Sequence, residues 1–314
     1  MKMKISVLSF LLISSLAMVQ CSDDDGDAQM GRLNVKVTDA PSDDANIQGT
    51  FITVSEVKVD GKAVEGFTAQ TIEISAYQQG AAKLIIDKDV EAKTYNKVSL
   101  VLDYENDDSG NSPGCYVLTD DETKHELGSS ASSTSEITFD RPIPVEAGGT
   151  TNLVVDFDLR KSIVRNEAGG ADGKYTFVSS AEMTNAVRVV LENKCGSIKG
   201  KVNNSSSTEQ KLVVFAYKKG TFDMDTETQG QGSSEVLFAK AVTSAEVAAE
   251  GDYQLAFLEE GNYEVHVASY EENENGEVSF SGMANASSSI SGLLLNNIAI
   301  EAEIRIDLDI SVLL

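Results

Sequence analysis

The sequence predicts an all-β protein: two β-sandwich domains in tandem, behind a signal peptide and an acidic tether. Three observations predict it. Apolar and polar residues alternate in short runs bounded by Gly, Asn, Asp and Ser, the period of half-buried strands. Helical periodicity is almost absent. The 314 residues also suit about two domains, and 41% hydrophobic against 24% charged content is enough to fold. The expected segments are a signal peptide over 1–20, a tether over 21–30, a first sandwich over 31–194 and a second over 195–314.

The first twenty residues differ from the rest. Lys2 and Lys4 precede an apolar or small-residue run from Ile5 to Val19, too short for a comfortable membrane span and typical of a secretory h-region. Met18-Val19-Gln20-Cys21 resembles the lipobox of bacterial lipoproteins, with Gln20 where that family usually has a small residue. The resemblance implies that Cys21 becomes the acylated N-terminus, carrying palmitate-type chains into outer-membrane lipid. Several such chains, at ~0.8 kcal/mol per buried CH₂, anchor a protein permanently. Ser22-Asp23-Asp24-Asp25 resembles the acidic export signal of surface-displayed lipoproteins, and it also reads as a plain solvated tether. The expected location is therefore the outer membrane, lipid-anchored and facing the cell surface, with its periplasmic face as the alternative.

Strands follow in order: "GRLNVKVTDAP", "TFITVSEVKVDG", "AQTIEISAY", "KLIID", "YNKVSLVLDY", "CYVLTD", "EITFDRPIPV" and "TNLVVDFDL" in the first half. The second half continues with "GSIKGKV", "KLVVFAYKK", "EVLFAKAV", "DYQLAFL", "NYEVHVASY" and a long closing run, "NNIAIEAEIRIDLDISVLL". The boundary falls at "ENKCG", residues 192–196. Short helices fit parts of "AYQQGAAKL" and "SAEVAAEG", while "NEAGGADGK" and "TETQGQGSS" read as exposed loops.

Four stretches of the first module ("GRLNVKVTDAPSDD", "TFITVSEVKVDG", "VEAGGTTNLVVDFDLRKSIV" and "GKYTF") resemble a bacterial family of domains of unknown function, family 4382. That resemblance implies an extracytoplasmic β-rich domain, commonly in lipoproteins. In the second module, "GSIKGKV" and "GDYQLAFLEEGNYEVHVASY" resemble the carboxypeptidase regulatory-like sandwich. It implies a prealbumin-like, Ig-like fold that serves as a spacer or interaction domain, with Gly251 and Gly261 at turns and Tyr253 and Tyr263 opening strands.

Chemistry is sparse. Fifty acidic against 25 basic residues leave a net charge of −25, which repels phosphate backbones and excludes nucleic acid as a partner. Cys115 and Cys195 can form a disulfide outside the cytoplasm, with two buried free thiols as the alternative. His125 and His266 are isolated, which argues against zinc sites and Ser-His-Asp or Cys-His catalysis, and His266 reads as a strand-face residue.

In "NLVVDFDL" the period of two puts Leu153, Val155, Phe157 and Leu159 on one face and Asn152, Asp156 and Asp158 on the other. Asp39 and Asp43 flank the "DAPSD" turn and can converge on the same place, where Ca²⁺ would need six to eight oxygens. The alternative is a turn at Asp39, with Asp156 and Asp158 paired to Arg160 or Lys161. "DYENDDSGNS" lacks EF-hand spacing, "DMDTET" is generic, and both read as solvated loops. Acidic residues are numerous enough for a glycosidase's carboxylate pair, but the chain has no Trp and only 6% aromatic residues, which argues against an aromatic sugar platform and against carbohydrate binding as well, though Tyr can serve.

The functional expectation is a non-enzymatic lipoprotein acting as a binding, adhesion or envelope-structural module, with a protein or glycan partner at the cell surface and no cofactor. A ligand- or Ca²⁺-binding lipoprotein serving glycan or ion uptake is the alternative, and a metal-assisted hydrolase comes last.

Overall fold

The computed structural model describes residues 29–42, 44, 46–128, 132–170, 173–204, 210–272 and 278–314. The first half contains strands β1 (Met30–Ala40), β2 (Ile47–Val59), β3 (Lys62–Ala63), β4 (Gln70–Glu73), β5 (Lys83–Glu91), β6 (Thr94–Asp103), β7 (Tyr116–Thr119) and β8 (Lys124–Glu126). It goes on through β9 (Thr134–Pro144), β10 (Thr150–Asp158), helix α1 (Leu159–Ser162), β11 (Ile163–Gly170), β12 (Gly173–Phe177), helix α2 (Ser180–Ala186) and β13 (Val187–Leu191). One sheet has the order β13-β10-β1-β5, with β1 and β10 parallel. The other runs β8-β7-β2-β6-β9, with β3 and β4 also on β2. Alternate residues of both sheets, among them Leu33, Val35, Val37, Ile52, Val54, Leu100, Leu153 and Val155, meet in a single core.

The second half contains β14 (Cys195–Asn204), β15 (Lys211–Lys218), helix α3 (Met224–Glu227), β16 (Thr243–Glu246), β17 (Asp252–Glu259), β18 (Gly261–Glu272) and β19 (Val278–Met283). It closes with β20 (Asn285–Ser288), β21 (Ile298–Ile300), β22 (Arg305–Asp307) and β23 (Ile310–Leu313). Its sheets have the orders β17-β14-β23-β20 and β16-β15-β18-β19, and their inner faces share a second core. Gly251, at φ 89°, leads into β17, and Gly261, at φ 147°, turns the chain into β18; no side-chain-bearing residue adopts the latter easily. Tyr253 and Tyr263 lie near the starts of β17 and β18 and are buried, and Tyr253 donates its hydroxyl to Leu308 O at 2.7 Å.

The all-β expectation holds, and several local expectations do not. The closing apolar run is three strands: β21 pairs β18 in one sheet, whereas β22 and β23 pair β14 in the other, with Glu303 at φ 61° turning the chain between them. "EVLFAKAV" is a series of turns leading to β16. Its apolar residues serve packing, because the crossover from β15 to β16 folds back over the outer face of its sheet. There Phe238 stacks on Phe215 at 4.4 Å and meets Phe280 edge-on at 5.3 Å. In the same crossover "DMDTET" forms α3, capped by Asp223, and Glu227 is fully buried, accepting from Tyr217 Oη at 3.0 Å and Lys240 N at 3.0 Å.

"SAEVAAEG" contributes to strand β16, and the "AYQQGAAKL" region has only a 3-10 turn just ahead of it, Ile74–Ala76. α2 carries its own sequence signal, the capping box of Ser179 and Glu182.

Replacing Phe238 by Ala removes the plug of this third apolar cluster. It should lower stability in urea by roughly 3–5 kcal/mol while leaving the far-ultraviolet β signature intact.

Candidate functional site: the charged seam between the two sandwiches

Strand β10 is buried on both faces. Leu153, Val155 and Phe157 enter the first core, and Val154, Asp156 and Asp158 point the other way, onto the second module. A strand buried on one side would leave those carboxylates in water. Here they stand behind a row of cations that cross the seam.

Asp158 Oδ2 accepts from Arg160 Nη2 at 2.8 Å and faces Lys161 Nζ at 3.1 Å, all three groups being buried. Arg160 in turn donates to Leu237 O and, at 3.3 Å, to Phe238 O, and lies over the Phe215 ring at 5.2 Å. Lys161 Nζ donates to Ala241 O at 2.5 Å. On β13, Arg188 pairs with Asp156 Oδ2 at 2.5 Å and donates to Phe257 O at 2.5 Å and Ala256 O at 3.1 Å. Arg141 adds a bond to Val189 O and a 3.1 Å pair with Glu259. Between these bonds Val154, Val190 and Cys195 pack against Phe257. At the far edge Glu182 accepts from Ser233 Oγ at 2.9 Å and Ser234 N at 3.2 Å, and hydroxyls led by Ser179 hold its carboxyl at about 2.

The seam is thus an apolar patch framed by cations: Arg160, Lys161 and Arg188 meet carboxylates of their own module and donate to backbone carbonyls of the other, whereas Arg141 reaches across to the Glu259 carboxylate. Burial sets its titration. It pushes Lys161 down against the pull of Asp158, and Asp156 up against the pull of Arg188. Asp39, at the end of β1, is pushed well above the usual carboxylate range, first by burial and then by the charges of Asp156 and Asp158. Its Oδ2 accepts from Gln78 Nε2 at 2.9 Å.

Asp39, Asp156 and Asp158 therefore lie close together, and the cations beside them leave the described part of the expected Ca²⁺ set with partners of its own. Asp156 and Asp158 already face fixed cations, and among the described residues no group of three or more His, Cys, Asp or Glu can hold a metal. Asp43, Cys21, Ser22, Asp23, Asp24 and Asp25 lie outside the described residues. Among the described residues no helix is long and apolar enough to cross a membrane.

The expected disulfide is corrected: Cys115 and Cys195 are both free buried thiols. Cys115 sits in the first core, its Sγ accepting from Thr53 N at 3.4 Å and donating to Asp103 O at 3.2 Å. Cys195 sits at the seam, bonded to Leu191 O at 3.3 Å. Each thiol is spent on filling and bonding its own site. Burial pushes Cys115 up to about 12 and Cys195 up to about 11, so neither is a ready nucleophile.

His266 lies on a strand, stacked on Phe222 at 3.8 Å, and burial lowers its pKa. His125 lies beside Tyr175. In the "DYENDDSGNS" loop the carboxylates close turns: Asp103 accepts from Glu105 N and Asn106 N, and Asp107 from Ser109 N and Asn111 N.

Arg141, Arg188 and the groups they bond escape a reading of sequence, because their partners lie 32 to 118 residues away. The one signal available was the polar face of β10 itself.

Replacing Asp158 by Ala strands two buried cations and should cost about 3–5 kcal/mol in urea unfolding. Asp39→Asn should act in the opposite sense. With its pKa raised in the folded state, Asp39 keeps its proton after the unfolded chain has lost it near pH 4. The native state then binds more protons, and stability falls as pH rises through that window. The Asp39→Asn variant should show a shallower decline in stability as pH rises above about 4, measured by urea melts, and equal or higher stability at pH 7.

Residues 30–179 match the family described as Domain of unknown function (DUF4382), so β13 lies just beyond the matched stretch. No curated protein matches the chain. Among solved structures, the chain is similar to the Bacillus anthracis TIE protein at 9% identity and a TM-score of 0.19, over 90% of this chain. It spans only 34% of that protein's length. It is also similar to BcpA, the major pilin subunit of Bacillus cereus, at 9% identity and a TM-score of 0.21, covering 90% of this chain and 70% of that one. A third is GBS52, the minor pilin of the gram-positive pathogen Streptococcus agalactiae, at 7% identity and a TM-score of 0.19, covering 89% of this chain and 94% of that one. The match to the DUF4382 family is thus confined to residues 30–179, within the first module.

Proposed function

We propose that this chain is a non-enzymatic lipoprotein, held in the outer membrane by acylated Cys21 and displayed at the cell surface, whose two sandwiches act as one stiff binding, adhesion or envelope-structural module. The observation that carries this reading is the seam. Four cations of the first module bond carbonyls or carboxylates around an apolar patch, so the sandwiches meet in one orientation. A catalytic carboxylate needs access to substrate, and the best-placed pair, Asp156 and Asp158, is buried and engaged by Arg188, Arg160 and Lys161. On this reading the acidic tether over residues 21–30 can reach at most roughly 33–36 Å from the lipid. A stiff body on a short leash suits display better than capture of distant cargo.

Cell fractionation with the full chain tests the anchor. The native sequence should pellet with membranes and incorporate labelled palmitate, and Cys21→Ala should do neither and remain soluble. Surface protease should digest the native chain on intact cells. Changing Asp23, Asp24 and Asp25 together to Ala should protect it. A Cys21→Ala chain that still pellets overturns the anchoring, and unchanged protease sensitivity of the triple variant overturns the export role of the aspartates.

A further inference from the structure

Beside the seam, where the outward face of β10 meets β14 and β17, lies an open cleft of about 360 Å³. Both modules build it. Asn152 comes from β10, Asn193 from the linker, Gln254 and Phe257 from β17, and Glu303 and Arg305 from the crossing between β21 and β22.

Three features set this cleft apart from an ordinary groove. First, its charges are nearly balanced on a chain of net charge −25. Glu192 on its wall is paired with Lys36 at 2.7 Å and Arg305 with Asp307 at 2.9 Å, which leaves Glu303 as the one unmatched carboxylate among its described lining residues. Second, planar polar groups face the space with bonding capacity to spare. Asn152 Oδ1 accepts from Asn34 Nδ2 at 2.9 Å, while the side chains of Asn193, Gln254 and Glu303 have no hydrogen-bond partner among the described residues.

Third, the backbone is bent to shape the wall. Phe257 holds φ at 53° inside a strand, a conformation costly for a ring-bearing residue, at the bulge where β17 slips against β14. Opposite it Gly80 is bare, and a Cβ there would stand 2.6 Å from Gln254 Nε2.

We infer that this cleft is a binding site for a neutral saccharide, a mono- or disaccharide unit of a glycan. A hydroxyl pair on a sugar donates and accepts at once, which matches side-chain amides and a carboxylate in one ring of contacts. The single aromatic wall offers a face for sugar C–H groups. Balanced local charge favours a neutral ligand, whereas an anionic one meets the field of the whole chain. The volume suits one or two hexose rings. The site depends on the docking of the two modules and is independent of acylation at Cys21.

Saturation-transfer difference NMR and calorimetric titration test it, using the soluble Cys21→Ala chain and a panel of glucose, galactose, mannose, N-acetylglucosamine, cellobiose and maltose. At least one sugar should bind, and Gln254→Ala should weaken it by about tenfold, the loss of a hydrogen-bonding group. Phe257→Asn, which keeps a residue tolerant of the left-handed backbone, should weaken it similarly. Lys58→Ala, far from the cleft, should leave binding unchanged, and thermal melts should confirm that each variant is folded. Failure of every sugar in the panel to bind at about 20 mM, near the weak end of the usual affinity scale, overturns the inference. So does binding that Gln254→Ala and Phe257→Asn both leave intact.

Discussion

Two sandwiches joined by a three-residue turn could hinge freely; here a buried ion network holds them. Asp158 neutralises Arg160 and Lys161, Asp156 neutralises Arg188, and the N–H groups left over reach carbonyls at residues 237, 238, 241, 256 and 257. An apolar contact such as Val154 and Val190 against Phe257 is non-directional and would accept many orientations. Charge-assisted bonds to fixed carbonyls accept few. The apolar patch therefore supplies adhesion, and the ions supply register. Buried ion pairs often add little net stability over apolar packing, and their value here lies in that specificity.

The network also explains why the crossover between β15 and β16 is long. It covers the outer face of its sheet with Phe238 and Ala241 and presents the carbonyls at 237, 238 and 241 to the first module. A shorter loop would leave Phe215 and Tyr217 in water and deprive Arg160 of the carbonyls at 237 and 238. Glu227, buried beneath, ties the crossover to Tyr217 and to the backbone at residue 240. The cleft beside the seam inherits its dimensions from the same docking, since Asn152 and Gln254 lie on different modules and keep their separation only while the ions hold.

Much of the fold was legible in the sequence because strand periodicity is local. Leu33, Val35 and Val37 alternate with Asn34 and Lys36, and the chain buries that set. Gly251 and Gly261 mark turns that only glycine takes easily. The polar face of β10 was legible too, as was the choice between a cation site and ion pairs with Arg160 and Lys161. What failed was the assumption that alternating apolar residues mean a strand. "EVLFAKAV" alternates because Phe238 and Ala241 pack under a turn-rich crossover. The closing run alternates across three short strands because Glu303 takes a left-handed turn between sheets.

By itself, then, the sequence determined the all-β class, the resemblance of residues 30–179 to the DUF4382 family and the face on which Asp156 and Asp158 stand. Each of these follows from neighbours in the chain or from a motif a few residues long. Tertiary structure alone decided that this face is buried, that Arg188 would meet it, that Arg141 would reach Glu259, that Cys115 and Cys195 stay apart, and that a polar cleft opens beside Phe257. Those outcomes depend on contacts between residues up to 118 positions apart, whose partners no local pattern names.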